Sequence, residues 1–201
     1  MSPAPPPSRR GALAEAGVPL PAAPGAYTHE ASGMQFPAEL AGFERDRVDH
    51  FDASGDDVTV AYHRVSADVA LQAAVYVYPI ARFEGGLERH YEESKAAVLD
   101  VPAGGELIAE GTMRFEQNGV PHPGLRAHFL LRDPAGALPV RISHLFLFQH
   151  GRWFIKYRAM FVAFQHEASD RALAEFMRAL VWPDGGPTLV AQAAQAAARM
   201  K

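Results

Sequence analysis

The chain of 201 residues contains no cysteine. This absence excludes disulfides, thiolate zinc sites, iron–sulfur ligation and a cysteine nucleophile, and it leaves the cellular compartment open. No apolar run approaches the roughly 18 residues of a membrane span. The net charge of −4 argues against wrapping nucleic acid, because phosphate binding needs a concentrated positive surface. We therefore predict no integral membrane segment and no nucleic-acid partner.

The sequence also lacks the familiar catalytic motifs. It has no GxSxG elbow, no GxxxxGK[ST] phosphate loop, no HExxH helix and no GxGxxG following a strand. Ser143 and His144 are adjacent, but neighbours in a strand project to opposite faces and cannot form a hydrogen-bonded dyad. The sequence therefore favours a non-catalytic protein over an enzyme, with no catalytic residue and no cofactor predicted.

Nine histidines raise the question of a metal site, but they are spread along the chain and none are spaced i, i+4. A zinc site needs several to converge with a carboxylate, which His50, His63 and His144 could do only if their strands were neighbours. The segment DASGDD, residues 52–57, resembles a calcium loop. Its sixth position holds Asp57 and its twelfth a histidine, where an EF-hand needs glycine and glutamate. We predict a turn there, and no metal.

Composition divides the chain into three parts. Residues 1–32 are a Pro/Ala-rich leader that we expect to be disordered, because it cannot bury enough apolar surface to offset chain ordering. Residues 33–183 form a single α/β domain, and residues 184–201 an Ala-rich helix or tail. The twin arginine Arg9-Arg10 is typical of an export signal, although Glu15 and prolines interrupt the apolar stretch that follows it. We predict a cytoplasmic location. The alternative is a periplasmic location, which follows if the Arg9-Arg10 leader is a functional export signal or if an export signal is missing from the sequence.

Hydrophobic periodicity predicts the first elements of the domain. Alternation indicates strands in FERDRVDHF (43–51), VTVAYHRV (58–65) and VALQAAVYVYPI (69–80). Helical spacing follows over residues 87–99, with Gly85-Gly86 before it and Pro102 after it. Two further strands are predicted in ELIAEGTMRFEQNGV and PGLRAHFLLRD. The order is strands, helix, strands.

The stretch RISHLFLFQHGRWFIKYRAMF, residues 141–161, predicts a hairpin with a two-residue loop at His150-Gly151. That register pairs Phe148 with Trp153 and Phe146 with Ile155, on a face that is almost wholly apolar. A slip by one residue would exchange the two faces, so burial fixes which side chains point inward. The apolar face must lie against another element.

The segment ASDRALAEFMRALVW, residues 168–182, supplies that element. Its helical apolar stripe comprises Leu173, Phe176, Met177, Leu180 and Val181. Ser169 or Asp170 is the predicted N-cap. We expect this helix to cover the apolar face of the hairpin.

The element order predicts an α+β fold with a mostly antiparallel twisted sheet of about six or seven strands and helices packed on it. This layout, and the segments FPAELAGFERDRV, VTVAYHRV…VYVYP and GRWFIKYRAMF, resemble the PsbP-like α/β/α sandwich and uncharacterised bacterial proteins of that fold. The resemblance covers residues 34–183. The fold also includes a nuclear-transport GTPase release factor and several bacterial lipoproteins. It implies a non-catalytic binding or assembly module, and no binding residues of the family carry over.

One candidate binding feature remains, on the second face of the final hairpin. Arg152, Lys156 and Arg158 lie on one side of one strand, about 6.6 Å apart per two-residue step, with Phe154 between them. Arg141 lies on the same side of the partner strand. Cations beside apolar side chains can hold an anionic or amphipathic ligand or an acidic surface. We refer to these five residues as the basic row.

Two hypotheses follow. In the first, the sheet surface or its rim contacts a protein partner. In the second, the basic row binds a small anionic or amphipathic ligand. The alternative for the row itself is neutralisation, either by water or by acidic residues of a neighbouring strand: Glu106, Glu110 or Glu116. The sequence predicts no oligomeric state.

Overall fold

The computed structural model describes residues 18–20, 25–100, 105–117 and 119–183. The elements in those ranges are β1 (Val18–Leu20), β2 (Tyr27–His29), β3 (Met34–Phe36), β4 (Glu39–Leu40), β5 (Phe43–His50), β6 (Val58–Val65), β7 (Ala70–Pro79), α1 (Gly86–Leu99), β8 (Gly105–Gln117), β9 (Val120–Leu131), β10 (Arg141–His150), β11 (Trp153–Val162) and α2 (His166–Ala179). Neither described helix combines the length and apolar character needed to cross a bilayer. The predicted tail, 184–201, lies outside the described residues.

One antiparallel sheet organises the domain. Its strand order is β1-β5-β6-β7-β11-β10-β9-β8, and the short β4 pairs beside β5. The strands β2 and β3 form a separate two-stranded hairpin. The predicted α+β class and mostly antiparallel sheet are confirmed. The sheet has more strands than predicted because the two short strands β1 and β4, which carry too few residues to show a period, extend it beside β5.

Structural elements begin before the predicted domain boundary at residue 33. That boundary falls inside the β2–β3 hairpin, which pairs Tyr27 with Phe36. His29 is buried within it, and its Nδ1 lies 2.7 Å from the Ser32 hydroxyl. The predicted leader, 1–32, therefore overlaps a part of the chain that contributes to the core.

The two helices lie on opposite faces of the sheet. Phe146 and Phe148 belong to the core beneath α2, and the intervening Leu145 and Leu147 to the core beneath α1. This alternation is what β geometry requires of a strand covered on both sides. We call the two sides the α2 face and the α1 face.

The final hairpin has the predicted faces but a different turn. His150 pairs with Trp153, so the two-residue loop is Gly151-Arg152 rather than His150-Gly151. Gly151 adopts φ +57°, at the first central position where a type II′ turn takes glycine. The register differs from the predicted one by two residues. A shift of two preserves the side to which every residue points, so the face assignment is unaffected.

Helix α2 covers the α2 face as predicted, but it starts earlier. A 3₁₀ turn leads into it, and the predicted caps Ser169 and Asp170 lie inside the helix, with Ser169 buried. The predicted stripe packs inward from Leu173 to Leu180. Val181 is exposed, and Trp182 is buried in its place, donating a hydrogen bond from Nε1 to the Tyr157 hydroxyl at 2.8 Å.

Candidate functional site

The structure does not present the basic row as an open surface. Phe154, Lys156 and Arg158 share the α1 face as predicted, but they are only 0%, 1% and 5% exposed. The Lys156 ammonium lies 4.4 Å from the centroid of the Tyr76 ring, a cation–π distance. Arg158 donates a hydrogen bond to the Ser143 hydroxyl at 3.2 Å. The centre of the row is therefore interior.

Only the ends of the basic row reach solvent. Arg152 is exposed at the hairpin turn, with its guanidinium 4.9 Å from the Trp153 ring centroid. Arg141 is half-buried at the start of β10, where it pairs with Val162 at the far end of β11. Ten-residue strands separate the two arginines. The structure therefore does not bring the five predicted residues together at one accessible site.

A cavity of about 430 Å³ lies on the other face, between α2 and the strands β8, β9 and β10. Its volume falls within the usual range for small-molecule sites. Apolar and polar side chains both contribute. The apolar lining comprises Met113, Phe115, Phe146, Leu173, Ala174 and Met177; the polar lining comprises Arg114, Glu116, Arg126, His128, His144, Asp170 and Arg178.

Two histidines form the centre of the polar lining. His128 and His144 are direct cross-strand partners of β9 and β10, and their rings stack at 4.0 Å with an interplanar angle of 13°. Phe146 and Phe161 pack against the His144 ring. The Nε2 atom of His128 is buried and has no hydrogen-bond partner among the described residues. A ligand atom is one means of satisfying such a group.

Burial favours the neutral form of both imidazoles. It lowers the pKa of His144 to about 3, with the neighbouring His128 and Arg126 acting in the same direction. Burial and Arg126 also lower the pKa of His128. A neutral imidazole has one donor and one acceptor nitrogen, so the pair offers both kinds of hydrogen bond.

Asp170 approaches this pair from α2. Its Oδ1 lies 3.5 Å from the Nε2 of His144, which is too long for a strong hydrogen bond. Burial raises the pKa of the Asp170 carboxyl. The contact is not a salt bridge near neutral pH, because His144 carries no charge there.

Three exposed arginines border the cavity. Arg114 lies on β8, Arg126 extends from β9 on the α2 face, and Arg178 lies in the last turn of α2. None of them has an ion-pair partner in the described part of the chain. Positive charge is thus available beside neutral imidazoles and an apolar wall.

Among the described residues that line the cavity there is no serine, threonine, cysteine, lysine or tyrosine. The carboxyls of Glu116 and Asp170 and the imidazoles of His128 and His144 are the lining groups that could act as nucleophiles or bases. The His144 imidazole, with a pKa near 3, is a weak base.

No metal-binding group of three or more His, Cys, Asp or Glu side chains occurs within the described ranges. His50 and His63 lie at opposite ends of the β5–β6 pairing, and His144 is on β10, with β7 and β11 in between. The three histidines considered for a metal site therefore do not meet.

Sequence reasoning missed this cavity, although one signal for it was present. A hairpin centred on Gly136, within the DPAGALP turn, places residue 128 opposite residue 144. Pairing the last four strands, rather than treating the histidines separately, would have brought the two rings together. No family model matches the chain, and no curated protein gives a significant match to it.

Proposed function

We propose that this protein binds a small amphipathic carboxylate in the cavity between α2 and the strands β8, β9 and β10. The second sequence hypothesis also predicted a small anionic or amphipathic ligand, but it placed the ligand on the basic row. The cavity lies on the opposite face of the sheet. The observation that carries the proposal is the convergence, in one cavity of about 430 Å³, of an aromatic wall, an unpartnered buried imidazole nitrogen and free arginines.

The apolar wall favours a ligand with a hydrocarbon or aromatic body. Phe115, Phe146, Leu173 and Met177 are buried side chains that contribute to the lining. Burial of a ligand's apolar surface against them contributes about 25 cal/mol per Å² before the cost of association is subtracted. Such a wall offers little to a free inorganic anion.

The polar end favours a carboxylate. Arg126 and Arg178 can each donate two parallel hydrogen bonds to a carboxylate, and such charge-assisted bonds are stronger than neutral ones. His128 lies beside Arg126, and burial together with the charge of Arg126 lowers the pKa of its ring. Its Nε2 adds a further hydrogen-bonding position. Asp170, on the same lining, disfavours a second negative charge on the ligand.

A thermal denaturation series with octanoate, octanol and octylamine tests this assignment, because the three share one hydrocarbon chain and differ in the head group. A ligand at 100 times its Kd stabilises the folded state by about 2.7 kcal/mol. For a chain of this size that raises Tm by about 5–10 °C. We expect octanoate to stabilise most and octylamine least.

Variants locate the site. Arg126→Gln should weaken octanoate binding by about tenfold, equivalent to about 1.4 kcal/mol, while Arg171→Gln should leave it unchanged. Arg171 is a matched control because it is exposed on α2 and does not line the cavity. Equal stabilisation by all three compounds, or an equal loss in both variants, would contradict a carboxylate site here.

The first sequence hypothesis, a protein partner held by the sheet or its rim, stays a prediction, as does the resemblance to the PsbP-like fold. The helices on both faces agree with the layer order of that sandwich. Since much of the sheet surface is covered by helices, the exposed rim is the better place to seek a partner.

A further inference from the structure

The rim of the sheet at β8 has the features of a pairing edge. With 13 residues β8 is the longest described strand, and it ends the sheet: in the described ranges its outer side pairs with no strand. A bulge lies between Leu107 and Ala109, so regular pairing geometry starts at Ala109. An open, regular edge is a template for another strand.

A second copy of the chain is the simplest occupant of this edge, because two-fold dimers are the commonest oligomers. A two-fold axis perpendicular to the sheet brings two β8 strands together antiparallel. It keeps the α2 faces of both copies on one side, so odd-numbered residues oppose odd ones and even oppose even. The axis can then pass through any one residue of β8, and each choice defines a different pairing register. The registers differ in which charged side chains they place opposite each other.

Only one central register pairs opposite charges and opposes no like ones within the regular part of β8. Centred on Thr112, it places Glu110 opposite Arg114 of the second copy, twice by symmetry. Among the other registers centred between residues 110 and 114, a centre at 110 or 114 opposes a charged residue with itself. A centre at 113 opposes Glu110 with Glu116, and one at 111 opposes no two charged residues in the regular part of the strand that starts at Ala109. Opposite charges stabilise a cross-strand pair, and like charges destabilise it.

The neighbouring side chains fit the same register. Gly111 has open space where a Cβ would be, and there it opposes Met113 of the second copy. Glu110 is already held by the Lys95 ammonium at 2.7 Å, which orders the carboxylate at the edge. Arg114 is exposed and has no ion-pair partner in the part of the chain that the structure describes.

We propose that two copies of this chain pair through their β8 strands, antiparallel and centred on Thr112, to form one continuous sheet. The proposal is a specific form of the rim hypothesis and does not depend on the ligand proposed for the cavity.

The absence of cysteine permits a direct test of the register, because any introduced thiol is unique. Residues opposed across antiparallel strands have Cα atoms about 4.5–5.5 Å apart, within disulfide range. Thr112→Cys should therefore form a covalent dimer under mild oxidation. Glu116→Cys is the matched control on the same side of the same strand. Its two copies would lie about 26 Å apart, at about 3.3 Å per residue, and should stay unlinked.

Sedimentation equilibrium of the full chain tests the charges. The native sequence should sediment as a dimer, Arg114→Glu as a monomer, and Glu110→Arg combined with Arg114→Glu as a dimer again. Arg171→Glu makes the same charge change on the exposed side of α2 and should stay dimeric. A monomeric native chain, equal cross-linking of both cysteine variants, or a dimer unaffected by Arg114→Glu each overturns the proposal.

Discussion

Acid should destabilise the fold through His144, and the size of the effect follows from its burial. The ring is 5% exposed and its pKa is lowered to about 3, whereas an unfolded histidine titrates near 6.5. Above about pH 6.5 the ring is neutral in both states and adds no pH dependence. Below that value the unfolded chain binds a proton that the folded protein does not, so stability falls until about pH 3.

Between about pH 6.5 and about pH 3 the free energy of unfolding should fall by about 1.4 kcal/mol per pH unit. Between about pH 7.5 and about pH 5 this loss amounts to about 2 kcal/mol. His144→Phe keeps an aromatic ring at the position and removes the titration. Urea denaturation of both proteins across this range should show the variant gaining about 2 kcal/mol relative to the native sequence as pH falls.

Phe146→Leu provides the matched control. Phe146 contacts His144 and lines the same cavity, but it does not titrate. Its replacement should lower stability by a similar amount at every pH. Parallel stability curves for His144→Phe and the native sequence would refute the account, because they would show that His144 takes up its proton equally well in the folded protein.

Two predictions concern packing, both measurable by urea denaturation. Phe176→Ala should lower the free energy of unfolding by about 3–5 kcal/mol, because this ring joins α2 to the sheet. Its centroid lies 4.7 Å from that of Phe43 and 5.0 Å from that of Tyr62. A smaller loss would show that α2 contributes little to the core. Gly124→Ala should cost about 1–3 kcal/mol, since a Cβ there would lie 2.4 Å from the Phe148 ring, whereas the matched Gly111→Ala meets nothing within 4 Å and should be nearly neutral.

The fold was predictable where periodicity and burial agree. Phe146, Phe148, Trp153 and Ile155 alternate with residues of the other face, and this pattern survives the two-residue difference in register. The turn itself was misplaced because glycine suits either central position, and only the twist of the strands distinguishes them. The early start of α2 was missed because a 3₁₀ turn leads into the helix without a side-chain cap.

The site was harder to predict, because charge in a sequence does not reveal burial. Lys156 looked like part of an exposed row, yet it lies among aromatic rings on the α1 face. Its long aliphatic stem and the faces of Tyr76 and Tyr78 allow a cation there. The cavity depends on contacts between residues far apart in sequence, such as Asp170 of α2 and His144 of β10, which local patterns do not encode.

The order in which the core is covered has a consequence for synthesis. The apolar side chains of β5, β6 and β7 on the α2 face are covered by α2, and β7 pairs with β11, so both partners come from the end of the described chain. A growing polypeptide displays Phe43 and Tyr62 without cover until residue 176 has emerged from the ribosome. Contacts so distant in sequence form slowly, and the exposed intermediate is prone to aggregate. Premature termination before α2 should therefore yield insoluble protein.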